Sequence, residues 1–285
     1  MSGNKTKFVP SETGSNDLSF IETTALIVAY HRSLEHARPD RLFADPFAAA
    51  FVEAAQAEGI ASDTMPAAPT DYFAVRTRFF DEYLLKAVHA GCRQMVTLAA
   101  GLDARAFRLQ LPRGVRLFEV ELATMLRFKE SVLSTLRARR ECDRVLVPTD
   151  LRDDWPAALV EAGFDTSVPT AWLVEGLLFY LTNEDGDRLL QRVTKLSAPG
   201  SWLGAEHVNH ATIDVMAAVL SRLAQGGAPW QSFIENPDAW MARLGWVSRV
   251  SPHDELALRY GRPLELGAFP AGKQPKAWLI EATRG

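Results

Sequence analysis

The sequence lacks the features of disulfide-rich, membrane-spanning and nucleic-acid-binding proteins. Only two of its 285 residues are cysteine, Cys92 and Cys142, and their spacing fits neither a disulfide framework nor a cysteine zinc site. No apolar run approaches the ~18 residues of a membrane span, and polar residues 1–14 do not resemble a signal peptide. The 31 basic and 35 acidic residues give a net charge of −4, without the basic excess of nucleic-acid-binding proteins. We therefore expect a cytoplasmic protein with neither a membrane nor a nucleic-acid partner.

The pattern of apolar residues predicts a helical segment followed by an α/β core. Hydrophobic residues make up 47% of the chain and charged residues 23%, which is typical of a globular protein. Helical periodicity covers 17–38, 45–57 and 71–90, and apolar runs then alternate with helical segments. Such alternation indicates a parallel sheet with helices on both faces. The predicted strands are 94–100, 115–120, 143–148, 170–175, 200–206, 246–250 and 277–282, and the later helices are 124–140, 153–162 and 184–197.

One strand-turn-helix stretch stands out in this core. The apolar run from Met95 to Ala100 ends at Gly101, and about twenty residues later a second run ends in Glu121. Open α/β sheets hold adenosine in this way, because the glycine lets the ligand approach the backbone and the acid accepts hydrogen bonds from the ribose. An ordinary strand-turn-helix without a ligand gives the same pattern.

The turn differs from a dinucleotide-binding fingerprint. Gly101 is followed by three non-glycine residues that include Asp103, so the second and third glycines are absent and the acid would repel a pyrophosphate. These residues better suit a cofactor with an adenosine and a cationic centre but no phosphate, a description that S-adenosyl-L-methionine fits. Asp150 and Glu175 also follow predicted strands, so we expect them at the same ligand-binding edge as Gly101 and Glu121.

Five short motifs occur in a fixed order along the chain. They are RLFADPFA at 41–48, RTRFFD at 76–81, AAGLDAR at 99–105, FEVE at 118–121 and WLVEGLLFYL at 172–181. Together they resemble the bacterial S-adenosylmethionine-dependent methyltransferases of the leucine carboxyl methyltransferase family. The resemblance covers most of the chain, from about residue 23 to residue 284.

The resemblance implies a Rossmann-like class I methyltransferase fold. Its sheet would have seven strands and be mostly parallel, with N-terminal helices and a helical lid insertion. We predict a flexible tail at 1–14 and one methyltransferase domain at 15–285. Within that domain the predicted parts are a helical cover at 15–92, a cofactor-binding core at 93–206, a helical lid at 207–243 and closing strands at 244–285.

The family motifs also imply cofactor-binding residues. Arg76 would pair with the methionine carboxylate through two parallel hydrogen bonds, or else be a solvated helix arginine. Glu121 would bind the ribose, although the family usually has aspartate there. Asp150 would accept from the adenine amino group, or simply cap the next helix, and Leu151 would pack on the ring. Glu175 would face the cofactor's amino group.

The remaining candidates have open alternatives. Asp103 could hold the cofactor ammonium or pair with Arg105. Tyr180 could be a catalytic residue lining the methyl-transfer pocket, or a core aromatic. His207, three residues before His210, could supply a catalytic base for a phenol acceptor, or both could simply be surface histidines. A carboxylate acceptor is already ionised and needs no base. The histidine pair has no third ligand, so we predict no metal site.

The sequence thus predicts an S-adenosyl-L-methionine-dependent O-methyltransferase. The expected reaction is in-line transfer to an oxygen, foremost a carboxylate, of a small-molecule acceptor such as a polyketide or another secondary metabolite. The alternatives are a hydroxyl or phenol acceptor, a nicotinamide-dependent oxidoreductase and a non-catalytic cofactor-binding module. The missing glycines oppose the oxidoreductase, and the presence of Arg76, Glu121 and Glu175 opposes loss of the cofactor site. No oligomeric state is predicted.

Overall fold

The computed structural model describes residues 20–59, 70–212, 229–263 and 274–285. In these ranges three helices precede a seven-stranded sheet. The helices are α1 (Phe20–Ala37), α2 (Ala48–Ala57), α3 (Thr70–His89), α4 (Arg105–Arg108), α5 (Ala123–Thr135), α6 (Trp155–Glu161), α7 (Asn183–Leu196), α8 (Pro237–Arg243) and α9 (His253–Arg259), with a 3-10 turn at Leu178–Tyr180. The strands are β1 (Gln94–Leu98), β2 (Arg116–Glu121), β3 (Asp143–Pro148), β4 (Thr170–Val174), β5 (Trp202–Val208), β6 (Val247–Pro252) and β7 (Ala277–Thr283).

The sheet has the predicted, mostly parallel arrangement. Its strand order is β3-β2-β1-β4-β5-β7-β6. The pairs of β7 with β5 and with β6 are antiparallel, and the other pairs are parallel. Every residue of β1 and β4 is buried, as expected for central strands that are covered on both faces. Because β1 to β5 are parallel, their carboxyl ends share one edge of the sheet, where α/β proteins bind ligands.

Helices cover the sheet on both faces and form two apolar cores. One core packs α1, α2, α3, α5 and α9 against the sheet, and the other packs α6, α7 and α8 against the opposite face. Side chains alternate between faces along a strand. On β5, Gly204 approaches the ring of Tyr83 on α3, whereas Leu203 and Ala205 belong to the α6–α8 core. Glu206 therefore points toward the α3 side, and His207 points away from it.

Local signals explain where several helices begin. The Thr182 side chain accepts a hydrogen bond from Asp185 N at 3.1 Å at the start of α7. Asn236 caps α8 in the same way, with proline at the next position. The cap of α6 is Asp154, so the alternative prediction that Asp150 caps this helix is wrong.

The other predicted elements agree with the structure to within a few residues, with two differences. The strand β5 continues through Val208, so His207 belongs to the sheet and not to a lid. Helix α9, between the last two strands, was not predicted. The predicted tail at 1–14 and residues 213–228 of the predicted lid lie outside the described residues. In the described ranges, each helix is too short or too polar to cross a bilayer.

Candidate cofactor site

The turn after β1 has an unusual backbone that brings its amides close to β2. Ala99 has φ of 52° and Gly101 has φ of 45°, both in the left-handed region, which costs a residue with a side chain of the order of 1 kcal/mol or more. The Gly101 amide donates to Glu121 Oε2 at 2.7 Å, and Leu122 N donates to Oε1 at 2.6 Å. Glu121 thus lies at the glycine turn, as the spacing predicted, and its two oxygens face backbone amides.

Arg76 lies in α3 and is almost fully buried, with 4% of its side chain exposed. Its Nε lies 3.0 Å from Glu175 Oε1, directly after β4, and its Nη1 donates to Glu206 Oε1 at 3.0 Å. Glu175 directly follows β4 and Glu206 lies in the neighbouring strand β5, and the two are at the same level of the sheet because Val174 pairs with Ala205. The alternative that Arg76 is a solvated helix arginine is therefore wrong.

A second buried arginine, Arg105, connects three carboxylates. Its Nε contacts Asp81 Oδ1 at 2.7 Å, and its Nη1 contacts Asp103 Oδ2 at 2.5 Å and Glu175 Oε2 at 2.8 Å. Of the two roles considered for Asp103, the structure shows the pairing with Arg105. Burial opposes its ionisation, but Arg105 outweighs burial and holds the pKa of Asp103 below its usual value.

Glu206 is the member of this cluster that the sequence analysis missed. Only 1% of it is exposed, and in the described part of the chain its Oε2 has no hydrogen-bond partner. Burial raises the pKa of Glu206 to about 7, with nearby Glu175 acting in the same direction and Arg76 opposing them. One signal was available, since Glu206 ends a predicted strand at the ligand-binding edge, as Glu175 does.

Asp150 and Leu151 follow β3 at the same edge of the sheet. Asp150 accepts hydrogen bonds from the backbone and side chain of Arg152, and Leu151 is half-buried against the core that contains α6. Hydrogen bonds from Arg152 are the main reason that the pKa of Asp150 is lowered. The carboxylate is partly exposed and can accept further hydrogen bonds.

Tyr180 belongs to an aromatic wall next to the buried charges. It ends the 3-10 turn after β4, and its ring lies 4.9 Å from that of Phe179, which in turn lies 4.4 Å from Trp230. Gln231 holds this wall in place, because its backbone amide donates to Phe179 O at 2.7 Å. Burial raises the pKa of the Tyr180 phenol, so the group is neutral at pH 7.

The structure contradicts the prediction of His207 as a catalytic base. Its ring lies on the opposite face of β5 from Glu206, edge-on to Trp240 of α8 at 5.5 Å. Its Nδ1 accepts from Val208 N at 2.9 Å, and its Nε2 lies 3.2 Å from Ser232 Oγ. Burial lowers the pKa of His207 to about 4. His207 is therefore a neutral, hydrogen-bonded core histidine.

Known proteins resemble this chain over most of its length. The sequence profile described as leucine carboxyl methyltransferase matches residues 25–194. A Parafrankia protein provisionally named as an S-adenosyl-L-methionine-dependent methyltransferase is 42% identical over 278 residues, spanning 92% of this chain and 86% of that protein. A Streptomyces coelicolor protein with the same kind of name is 39% identical, spanning 93% of this chain and 96% of that protein.

Solved structures share the fold at low sequence identity. A DUF574 family protein from Streptomyces avermitilis aligns with a TM-score of 0.60 and 14% identity, covering 92% of this chain and 97% of that one. A Thermobifida fusca protein provisionally described as a methyltransferase gives a TM-score of 0.58 and 16% identity, with coverage of 92% and 94%. At these identities the alignments establish the fold alone.

Proposed function

The chain belongs to the leucine carboxyl methyltransferase family, and from this premise we propose that it methylates an oxygen atom of a small-molecule acceptor. It is an S-adenosyl-L-methionine-dependent methyltransferase, as the family match and the names of its relatives indicate. The oxygen acceptor and the role of each residue below are our proposals. The acceptor that we favour is a carboxylate on a polyketide or another secondary metabolite.

The observation that carries this proposal is a buried arginine and a buried carboxylate, Arg76 and Glu206, each with one atom that makes no aligned hydrogen bond. Arg76 Nε lies 3.0 Å from Glu175 Oε1 without hydrogen-bond alignment, and Glu206 Oε2 has no hydrogen-bond partner within the described ranges. A buried polar atom without a hydrogen bond costs free energy of the order of 1–3 kcal/mol, and the contact with Glu175 reduces this cost for Arg76 Nε. The methionine end of the cofactor carries a carboxylate and an ammonium, which complement this donor and acceptor.

The other proposed contacts follow the edge of the sheet. Glu121 would accept hydrogen bonds from the ribose hydroxyls while it holds the amide of Gly101. Asp150 would accept from the adenine amino group, and Leu151 would pack on the adenine ring. Glu175 would face the ammonium, between the two arginines that it contacts. We propose that Asp103 supports the site by pairing with Arg105, which already binds its carboxylate.

The chain's contribution to the reaction would be alignment and exclusion of water. When bound, the cofactor supplies a methyl group on a positively charged sulfur. Tyr180 and Trp230 would form the wall that orients a flat acceptor and keeps water away. A carboxylate acceptor is ionised at pH 7 and needs no base. Its attack neutralises charge, so an apolar wall favours the reaction.

A hydroxyl acceptor is the second candidate, and Glu206 is the observation that favours it. Burial raises the pKa of this carboxyl to about 7, which suits a group that accepts a proton near neutral pH. Matched pairs of acceptors would distinguish the two candidates. In each pair, one compound is a carboxylic acid and the other is a phenol on the same aromatic skeleton. Turnover of the acids alone would support the carboxylate, and turnover of the phenols alone would support the hydroxyl.

Calorimetric binding of S-adenosylhomocysteine to the wild type and to Arg76→Ala tests the proposed site. We expect saturable binding to the wild type and at least about tenfold weaker binding to the variant, a loss of roughly 1.4 kcal/mol. Arg78→Ala is the matched control, because Arg78 lies on the same helix but is 43% exposed and pairs with Glu82. Binding to the control should equal that of the wild type.

Two results would contradict the proposal. Undiminished binding to a folded Arg76→Ala protein would remove Arg76 from the site. An absence of binding to the folded wild type, together with saturable binding of NADH, would favour the oxidoreductase alternative. Melting curves of both variants must be recorded first, since Arg76→Ala leaves two buried carboxylates with less positive charge nearby.

A further inference from the structure

Glu206 has an uncommon setting among the charges of this site. It lies on β5, with 1% of its surface exposed, and shares the guanidinium of Arg76 with Glu175. One of its oxygens contacts Arg76 Nη1, and the other is buried without a hydrogen-bond partner in the described chain. Burying an ionised carboxylate in this way is costly unless a further positive charge or a proton is added.

The connected ion pairs around Glu206 contain an uneven number of charges. Contacts within 4 Å join four arginines and five carboxylates into one buried network, whose net charge is −1 when every group is ionised. A proton on one carboxylate would make the network neutral. The members are Arg32, Asp45, Arg76, Asp81, Asp103, Arg105, Arg108, Glu175 and Glu206.

The charge of the proposed cofactor matches this deficit. S-adenosylmethionine carries a carboxylate, an ammonium and a sulfonium at pH 7, for a net charge of +1. Its demethylated product, S-adenosylhomocysteine, lacks the sulfonium charge and is neutral. The network with Glu206 ionised therefore complements the methyl donor, and the network with Glu206 protonated complements the product.

We propose that Glu206 is a cofactor-charge-sensing residue, which holds a proton in the empty and product-bound site and releases it when the methyl donor binds. This inference rests on the proposed function. It adds a role for Glu206, namely to favour the charged donor over the neutral product. The proton passes to solvent on donor binding and returns after the positive charge is lost, so that the summed charge of this ion-pair network and the bound cofactor stays near zero.

The groups that face Glu206 support its role as the protonated member. Burial and Glu175 favour its protonated form, whereas Arg76 and the backbone amide of Gly176 favour the ionised form, and the balance raises its pKa to about 7. Tyr72 and Tyr180 also lie near, and both phenols are neutral because burial raises their pKa. By contrast, the pKa of Asp103 is lowered, since the charge of Arg105 outweighs the effect of burial.

His31 on α1 and His253 on α9 are close enough to Arg76 to sense its charge. Burial lowers the pKa of each imidazole to about 4, and Arg76 contributes in the same direction. Both are therefore neutral at pH 7, and neither competes with Glu206 for the proton.

Calorimetric titration in several buffers of different ionisation enthalpy measures the protons exchanged on binding. At pH 7.0 we expect the wild type to release about half a proton more than Glu206→Gln on binding S-adenosylmethionine, because the pKa of Glu206 is about 7. With S-adenosylhomocysteine the two proteins should differ little. Comparison of the two proteins with one ligand cancels any proton that the ligand itself exchanges.

Affinity provides a second readout. The glutamine is uncharged, so Glu206→Gln should weaken the binding of S-adenosylmethionine roughly tenfold more than it weakens the binding of S-adenosylhomocysteine. Glu184→Gln is the control, because Glu184 is a carboxylate on α7 with 83% of its side chain exposed. This control should show the proton release and the affinities of the wild type.

The inference would be overturned if the wild type and Glu206→Gln both bound S-adenosylmethionine saturably and exchanged equal numbers of protons. The proposed function would then remain intact. No donor binding to the folded wild type would instead overturn the proposed function. If Glu206→Gln does not fold, the pH dependence of the wild type decides. The measured quantity is then the number of protons released on binding S-adenosylmethionine minus the number released on binding S-adenosylhomocysteine. It should be larger at pH 6 than at pH 8.5. Equal values at the two pH values, or a larger value at pH 8.5, would overturn the inference.

Discussion

Replacement of Arg105 by methionine should strongly destabilise the protein. Arg105 is 2% exposed and contacts Asp81, Asp103 and Glu175 at 2.5–2.8 Å. Methionine fills similar space but carries no charge. The variant would therefore keep the apolar packing of the side chain and lose the positive charge that neutralises the carboxylates.

The structure indicates how much of this loss other residues can offset. Asp81 keeps two contacts with Arg108, at 2.6 and 2.9 Å, and Glu175 keeps its contact with Arg76. Asp103 retains a hydrogen bond from the Arg105 backbone amide but loses its ion pair. Removal of one partner from a buried ion pair typically costs about 3–5 kcal/mol, and we expect a loss in this range.

Urea unfolding at pH 7 measures the free energy of unfolding. Arg188→Met is the matched control, because Arg188 is 54% exposed and pairs with Glu184 and Asp185 on its own helix, and such pairs contribute at most about 1 kcal/mol. At pH 4 the difference between Arg105→Met and the wild type should narrow, since Asp103 can be protonated more easily in the variant. A loss below about 1 kcal/mol at pH 7 would refute the reasoning.

Two further predictions concern the packing around β5. Gly204→Ala should cost about 1–3 kcal/mol, because its Cβ would lie 2.6 Å from the Tyr83 ring, which is held by a hydrogen bond to Trp172 O at 2.8 Å. In urea unfolding, the double variant with Tyr83→Leu should lose less free energy of unfolding than the two single variants lose together. Strictly additive losses would contradict the predicted clash. His207 should make stability depend on pH: its pKa is about 4 when folded and about 6.5 when unfolded, so the unfolded state binds more protons between these values. Stability should therefore fall as pH decreases from 6.5 to 4, and an unchanged pH slope in His207→Asn would contradict this assignment.

The fold was predictable because its signals are local. The apolar runs of β1 to β5 and the helical periodicity between them determined the sheet class. Helix α9, His253–Arg259, was missed because it begins directly after β6 and no side-chain cap marks its start. The left-handed conformation of Ala99 was not predictable either, because alanine rarely adopts it without support from the surrounding structure.

The site was only partly predictable, since its contacts join distant parts of the chain. The motifs indicated Arg76, Glu121 and Glu175, but not which charges would meet. Arg76 and Glu206 are separated by 130 positions in the sequence, and no periodicity links them. His207 was misassigned for a related reason: a histidine near the ligand-binding edge suggests a base, whereas the alternation of side chains along β5 turns its ring into the opposite core.

The buried ion pairs connect the helical cover to the sheet as well as forming the site. Arg76 and Asp81 lie on α3, and their partners Glu175, Glu206 and Arg105 follow or belong to elements of the core. Apolar burial alone is not directional, so it would allow α3 to shift along the sheet. Ion pairs with fixed partners oppose such a shift. We therefore expect a substitution at Arg76 to affect both the proposed ligand binding and the position of α3. An affinity loss in such a variant has to be interpreted together with its free energy of unfolding.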